Sequence, residues 1–453
     1  MDSKELRRFN ILTKPISPLL VKTSIPTIIG MLINVIYNLT DTFFVGRLNN
    51  RAMIAAIGIV FSFVSIIQAV GFWFGYGSGN AMSKKIGEQD YAEAETISSV
   101  GIVLAIITGI VIAIAASIFI LPLSKFIGGS ASQDVLTFTV QYLRIIIISI
   151  PFSLYALTVY NQLRLCGNVR DGMLGLLSGM LSNMVLDPVL MFIFKQGFIG
   201  AGYATLIGQI IGCVVLTLLA KNRGSINIKK AQYSKERMYH ILAGGMPNFS
   251  RQAITSAALV LLNVKAAEYG ESMIAALTVS SRVAALAYMI MIGWGQGFQP
   301  ICAMNYGAKQ YSRVKKAFIT TVLVATIFLT AASIILFLFA ENCIGIMSKD
   351  DEVIFAGIKI LRMQCFSLPL LSFFAVSSMF MQNIGHYFSS LLISISRQGF
   401  FYLPLLYILP ALYGKTGIYL LQPFSDVLSF LFAVAVVYRW YSCGAFSSAL
   451  NAG

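Results

Sequence analysis

Long apolar runs, separated by short connections rich in charge, glycine or proline, make up most of the chain. A helix rising 1.5 Å per residue needs roughly 20 apolar residues to cross the hydrocarbon layer. Twelve runs meet that need: 17–45, 53–82, 97–121, 137–163, 172–194, 200–220, 241–265, 273–303, 318–340, 355–382, 389–412 and 417–440. The predicted fold class is therefore an all-α polytopic membrane protein with 12 transmembrane helices. Several runs also carry polar residues at helical spacing. In the first, Asn34, Tyr37, Asn38 and Asp41 stand at i, i+3, i+4 and i+7, which puts them on one face. The fifth places Asn183 and Asp187 at i and i+4, and the sixth does the same with Thr205 and Gln209. Proline punctuates two of these runs. Pro26 removes a backbone donor near the start of the first and predicts a hinge, and Pro188 weakens the ladder directly after Asp187.

Composition sharpens the class. Of 453 residues 57% are hydrophobic and 11% charged, with a mean hydropathy of +0.79. A soluble domain carries about 25% charged residues. The net charge of +15 does not point to nucleic acid, because the lysines and arginines concentrate in connections of one parity, among them Arg7, Arg8, Lys84, Lys85, Lys229, Lys230, Arg313 and Lys316. The even number of spans then predicts both termini on the cytoplasmic side of a prokaryotic plasma (inner) membrane. No signal-peptide pattern opens the chain. Six scattered cysteines without a CxxC pair, and two isolated histidines, support neither a disulfide framework nor a metal cluster.

The halves repeat. LRIIIISIPFSLYA from Leu143 aligns with LRMQCFSLPLLSFFA from Leu361, so Arg144 pairs with Arg362 and Pro151 with Pro369, each 218 positions on. GFWFGYGSGNAM from Gly71 aligns with GWGQGFQPICAM from Gly293, and Pro26 with Pro247, at offsets of 222 and 221. A colinear series with a nearly constant offset predicts two six-helix lobes, residues 1–221 and 240–453, joined by a basic cytoplasmic linker at 222–239. Six spans per copy preserve direction, so the lobes should be related by a pseudo-two-fold along the membrane normal with a cleft between them, as in an alternating-access carrier.

Against this symmetry the acids are lopsided. Asp41 corresponds to Leu262, Asp187 to Leu405 and Asn183 to Phe401. Carboxylates within a membrane span are functional candidates. Two of them beside Asn183 and Thr205 offer the oxygen ligands a hard cation prefers, or a pair that shares a proton. Asp41, Asn183, Asp187 and Thr205 are thus the candidate coupling-ion residues, ligands of a metal ion only if that ion is Na+. Asn34, Tyr37, Asn161, Gln209, Trp294 and Gln296 are candidates for a substrate pocket. Asp426, just after Gln422-Pro423, reads equally as an interfacial cap. Gly71, Gly75, Gly77 and Gly79 predict close helix packing.

Pro26 with Asp41 and FFVG in the first run, QLRLCGN after the fourth and GWGQGFQPICAMNYGA after the eighth resemble the multidrug and toxic compound extrusion family over nearly the whole chain. The resemblance implies a monomeric secondary transporter, without a cofactor, that exports cationic amphipathic compounds in exchange for H+ or Na+. It implies a cation site in the first lobe at Asp41, Asn183, Asp187 and Thr205, with Tyr37 and Asn161 nearby, and a first helix that bends near Pro26. A second acidic site, present in the second lobe of some members, has no evident equivalent here. The alternative is a lipid-linked oligosaccharide or peptidoglycan-precursor flippase of the same broad superfamily, which would need a strongly basic cleft. An enzyme is disfavoured by the lack of HExxH or GxSxG.

Overall fold

The computed structural model describes residues 3–48, 50–129, 132–222 and 231–442. Among these residues all regular structure is helical. An amphipathic helix α1 (Ser3–Thr13) leads into α2 (Ile16–Gly46), α3 (Arg51–Gly87) and α4 (Tyr91–Ile118). A short α5 (Ile120–Phe126) precedes α6 (Gln133–Leu165), α7 (Val169–Pro188) and α8 (Gly197–Asn222). The second copy runs α9 (Lys235–Ala267), α10 (Glu271–Gly307), α11 (Tyr311–Leu338), α12 (Ala340–Met347), α13 (Asp351–Ser367), α14 (Leu370–Asn383), α15 (Tyr387–Ile395), α16 (Tyr402–Tyr413) and α17 (Lys415–Ser442). Ten helices are long and apolar enough to cross a membrane, and α13 with α14, bent by 55°, makes an eleventh. The remaining expected span is α9, which has the length at 33 residues but is less apolar, with Asn248, Ser250, Arg251 and Gln252 clustered within it.

The repeat is visible in the elements themselves. Helices α3 and α10 both have 37 residues, and α4 and α11 both have 28. Helix α7 begins at Val169 and α15 at Tyr387, again 218 apart, as do α8 at Gly197 and α17 at Lys415. The copies differ at their shared proline. Pro151 lies inside an unbroken α6, whereas Leu368 and Pro369 separate α13 from α14.

The solvent of these helices is lipid, and the patterning follows. On α4, Ile107, Val111, Ile114 and Ile118 form an exposed stripe at i, i+4, i+7 and i+11, while Ser98 and Ser99 are fully buried. Apolar side chains gain nothing by leaving hydrocarbon, so small residues and hydrogen bonds organise the interior instead. Gly71, Gly75 and Gly79 recur every fourth residue of α3, each against α6, at Leu157, Asn161 and Leu165. Three of the four glycines predicted to pack closely thus form the α3–α6 contact, and Gly77 faces α9.

The chain divides into two compact units, residues 1–10 with 29–245 and residues 11–28 with 246–453. Each copy's first helix is therefore shared. In the second unit the first half of α2 rests on α10, where Thr23 Oγ1 donates to the Gly297 carbonyl at 2.9 Å and Thr27 Oγ1 to the Gly293 carbonyl at 2.6 Å. In the first unit the first half of α9 rests on α3, where Trp73 Nε1 donates to the Leu242 carbonyl at 2.8 Å. A Cβ added to Gly77 would lie 1.8 Å from the Ile241 carbonyl oxygen. The division of α2 falls two residues beyond Pro26, and that of α9 one residue before Pro247. A boundary drawn from the linker alone misses this exchange. Residues 223–230 of the expected linker lie outside the described residues.

Candidate functional site

In the first unit the polar residues of α2, α7 and α8 converge. Asn183 and Asp187 stand one turn apart on α7, and both are buried. The Asn183 amide satisfies both of its ends when Nδ2 faces Asp187 Oδ2 at 3.3 Å and Oδ1 accepts the Thr205 backbone N–H at 2.9 Å. Thr205 Oγ1 stays within reach of the Ala201 carbonyl at 3.1 Å. Directly after Asp187 the α-helix ends at Pro188 and continues as a π-helical turn, Val189–Ile193. Proline removes a ladder donor there, and the wider turn re-forms the chain around it. Glycine lets α7 and α8 approach closely enough for these contacts: a Cβ on Gly208 would lie 2.9 Å from Asn183 Cβ.

Beside this cluster lies a cavity of about 80 Å³ walled by Asn34, Tyr37, Gln68, Asn183, Thr205 and Gln209, among other residues. Asn34 and Tyr37 of the α2 stripe thus share one space with Asn183, Thr205 and Gln209. It accommodates a few waters or a partly hydrated cation, at roughly 30 Å³ per water. The side chains of Asn38 and Asp41 lie outside the described ones. Gln68 was not anticipated, although a lone amide inside the run IIQAVGF on α3 is a signal of the same kind.

Other expected pocket residues sit elsewhere. Asn161 is buried but off the cavity wall, its Nδ2 donating to the Leu157 carbonyl at 2.8 Å and its Oδ1 accepting from Arg164 at 3.0 Å. Arg164, in the last turn of α6, is itself fully buried, 4.9 Å above the Tyr76 ring. Trp294 and Gln296 belong to the second unit, where Trp294 Nε1 donates to the Thr321 carbonyl at 3.2 Å and Gln296 is buried.

The second unit does contain a buried carboxylate, away from the repeat positions Leu262 and Leu405. Helix α17 begins at Lys415, so Asp426 stands three turns inside it and is buried, rather than capping an end. Asp426 accepts from Arg397 Nε at 2.7 Å, Gln422 Nε2 at 2.7 Å and Ser367 Oγ at 2.8 Å. Arg397 lies in a π-helical turn, Ser396–Phe401, with its guanidinium 5.2 Å from the Tyr288 ring centroid.

The model of the MatE family matches residues 26–189 and again residues 247–408. The chain belongs to the MatE family. The two matches start 221 positions apart, the offset that relates Pro26 to Pro247, so each covers one copy of the repeat. This MatE chain is 27% identical over 427 residues to the multidrug export protein MepA of Staphylococcus aureus (strain MSSA476), covering 94% of each protein. It is 27% identical over 418 residues to MepA of Staphylococcus haemolyticus (strain JCSC1435), covering 92% of each. A crystal structure of MATE in the bent conformation matches at a TM-score of 0.86 and 25% identity, over 97% of this chain and 99% of that one. An outward-facing multidrug resistance MATE transporter matches at a TM-score of 0.88 and 24% identity, over 96% and 98%, a likeness of fold. The MatE chain is accordingly a multi-pass membrane protein.

Proposed function

We propose that this MatE protein is a secondary active efflux transporter that exchanges H+ or Na+ for cationic amphipathic drugs and other toxic compounds. The observation that carries the reading is the buried Asn183–Asp187 pair, with Thr205 against it, at the edge of a small cavity that also meets Asn34, Tyr37 and Gln209 in a lipid-facing helical unit. Its similarity to the multidrug export protein MepA supports the substrate class. In this reading Asp187 and Asp41 hold the coupling ion with Asn183 and Thr205, while Asn34, Tyr37 and Gln209 contact water or substrate. The ion drives transport by binding one state of the carrier more tightly than the other, since only differential affinity shifts a conformational equilibrium. Pro26, two residues from the point where α2 passes between units, is the hinge. The protein acts as a monomer in the plasma membrane with both termini cytoplasmic.

Dye efflux from vesicles under an imposed pH gradient, and then under an imposed Na+ gradient, identifies the ion. Asp187→Asn and Asp41→Asn are each expected to slow gradient-driven efflux by about tenfold or more with the protein still in the membrane. Wild-type efflux in either variant would remove that acid from the mechanism.

A further inference from the structure

On the outside of the second unit, Phe355, Lys359, Arg362 and Phe366 of α13 are all exposed. They stand at i, i+4, i+7 and i+11, so they form one stripe of the helix. The stripe faces away from α10, since Gly357, on the opposite side of α13, accepts Ser280 Oγ at 3.0 Å. Phe366, at one end of the stripe, is 71% exposed, and in a membrane protein such a ring is covered by acyl chains. At the other end Asp350 caps the helix, with Asp351 and Glu352 in its first turn, a composition that belongs in water. Lys359 and Arg362 lie between these two ends. Among the described residues neither stands within ion-pair distance of a carboxylate. Lys359 Nζ lies 4.0 Å from the Phe355 ring centroid, and Arg362 Nε donates to the Phe337 carbonyl at 3.3 Å. The Phe337 ring lies 5.3 Å from the guanidinium carbon and 5.7 Å from the Phe366 ring. Arg362 is thus fixed by its Nε edge, which leaves its Nη donors for another acceptor.

The repeat separates what the fold requires from what this copy adds. Thr137, Gln141, Arg144 and Ile148 stand 218 positions earlier, on α6, and all four are exposed too. The exposed face and its arginine are therefore common to both copies. The second copy adds a lysine where the first has Gln141, and aromatic rings where the first has Thr137 and Ile148.

We infer that the α13 stripe is a binding site for one phospholipid with an anionic headgroup, its phosphate held by Arg362 and Lys359 and an acyl chain laid along Phe366. A guanidinium offers parallel N–H donors that match a phosphate, and the ammonium adds a point charge beside it. Cations close to an anionic membrane surface gain further from its potential. The occupant must be anionic at one end and apolar at the other, because the stripe itself runs from cations to an exposed ring. A soluble anion would leave Phe366 uncovered.

The test is native mass spectrometry of the purified full chain in detergent, with equimolar phosphatidylglycerol and phosphatidylcholine carrying the same acyl chains. Wild type should retain one phosphatidylglycerol at about tenfold the occupancy of phosphatidylcholine. Lys359→Gln with Arg362→Gln should remove that advantage, and Arg144→Gln should keep most of it. Because the substituted side chains are exposed, the melting temperature without lipid should stay at the wild-type value. Equal occupancy of the two lipids in wild type overturns the inference without recourse to any variant. So does an undiminished preference in the double variant. A loss in Arg144→Gln as large as that in the double variant would assign the preference to diffuse surface charge and overturn it too. Displacement of the lipid by an equal concentration of glycerol phosphate would do the same, by showing that the acyl chain is not bound. None of these failures touches the export reading, which stands on the first unit and is read by dye efflux.

Discussion

A carboxylate and a guanidinium 2.7 Å apart in a buried helix contact stabilise each other only as a pair. Removing one partner leaves the other charge desolvated and uncompensated, which costs about 3–5 kcal/mol. Asp426→Ala should therefore lower the melting temperature in detergent sharply. The double variant Arg397→Met with Asp426→Leu should recover most of the loss, because apolar side chains of similar volume need no solvation. A double variant as unstable as the single one would mean that the pair holds the fold in some further way. The two acids that are buried among the described residues, Asp187 and Asp426, were unequally legible in the sequence. Asp187 and Asn183 lie on one helix at i, i+4, and that spacing alone put them on one face. Asp426 and Arg397 are 29 residues apart on different elements, and Arg397 is presented by a π-helical turn, for which apolar periodicity gives no sign. Asp426 also follows a Gln-Pro step that reads as a helix start, whereas α17 in fact begins eleven residues before it.

At the scale of elements, the close contacts are made where a glycine removes the last obstacle between backbones. Gly77 meets the Ile241 carbonyl across α3 and α9, and a Cβ there would lie 1.8 Å from that oxygen, so one helix must move to admit it. Gly58, on the same helix, has nothing within 4 Å of its would-be Cβ. Gly77→Ala should destabilise by at least the roughly 1–3 kcal/mol typical of overpacking. Gly58→Ala should be neutral or stabilise by up to about 1 kcal/mol, from helix propensity alone. Thermal melting of the two variants side by side checks this, and the contrast fails if they melt together. The glycine seam and the twelve apolar runs were readable because lipid imposes one simple demand on every span, an internally satisfied backbone with an apolar exterior. The break at Leu368–Pro369 was not, since its repeat partner Pro151 sits in a continuous helix. Proline sets the possibility of a break, and the surrounding packing decides it.

For the whole molecule, the reciprocal sharing of α2 and α9 means that the compact units do not coincide with the sequence halves. A chain severed between Ile226 and Asn227 yields a first fragment without Lys235–Gly245 and a second without residues 11–28. The first then lacks the segment that receives Trp73 Nε1 at the Leu242 carbonyl and places Arg237 Nε 2.7 Å from Glu93. The second lacks the hydroxyls of Thr23 and Thr27 against α10, and the Ile11 carbonyl that accepts Arg313 Nη2 at 3.0 Å. Each fragment alone exposes a glycine-lined groove whose filler is on the other, and polar groups left unmet in lipid are costly. Neither fragment should give a monodisperse, cooperatively melting species when expressed alone. Co-expression should restore one, with an affinity tag on either fragment retaining both. A single half that purifies and melts like the intact chain would show that the borrowed half-helices are dispensable, and the shared-helix account of this fold would fall with them.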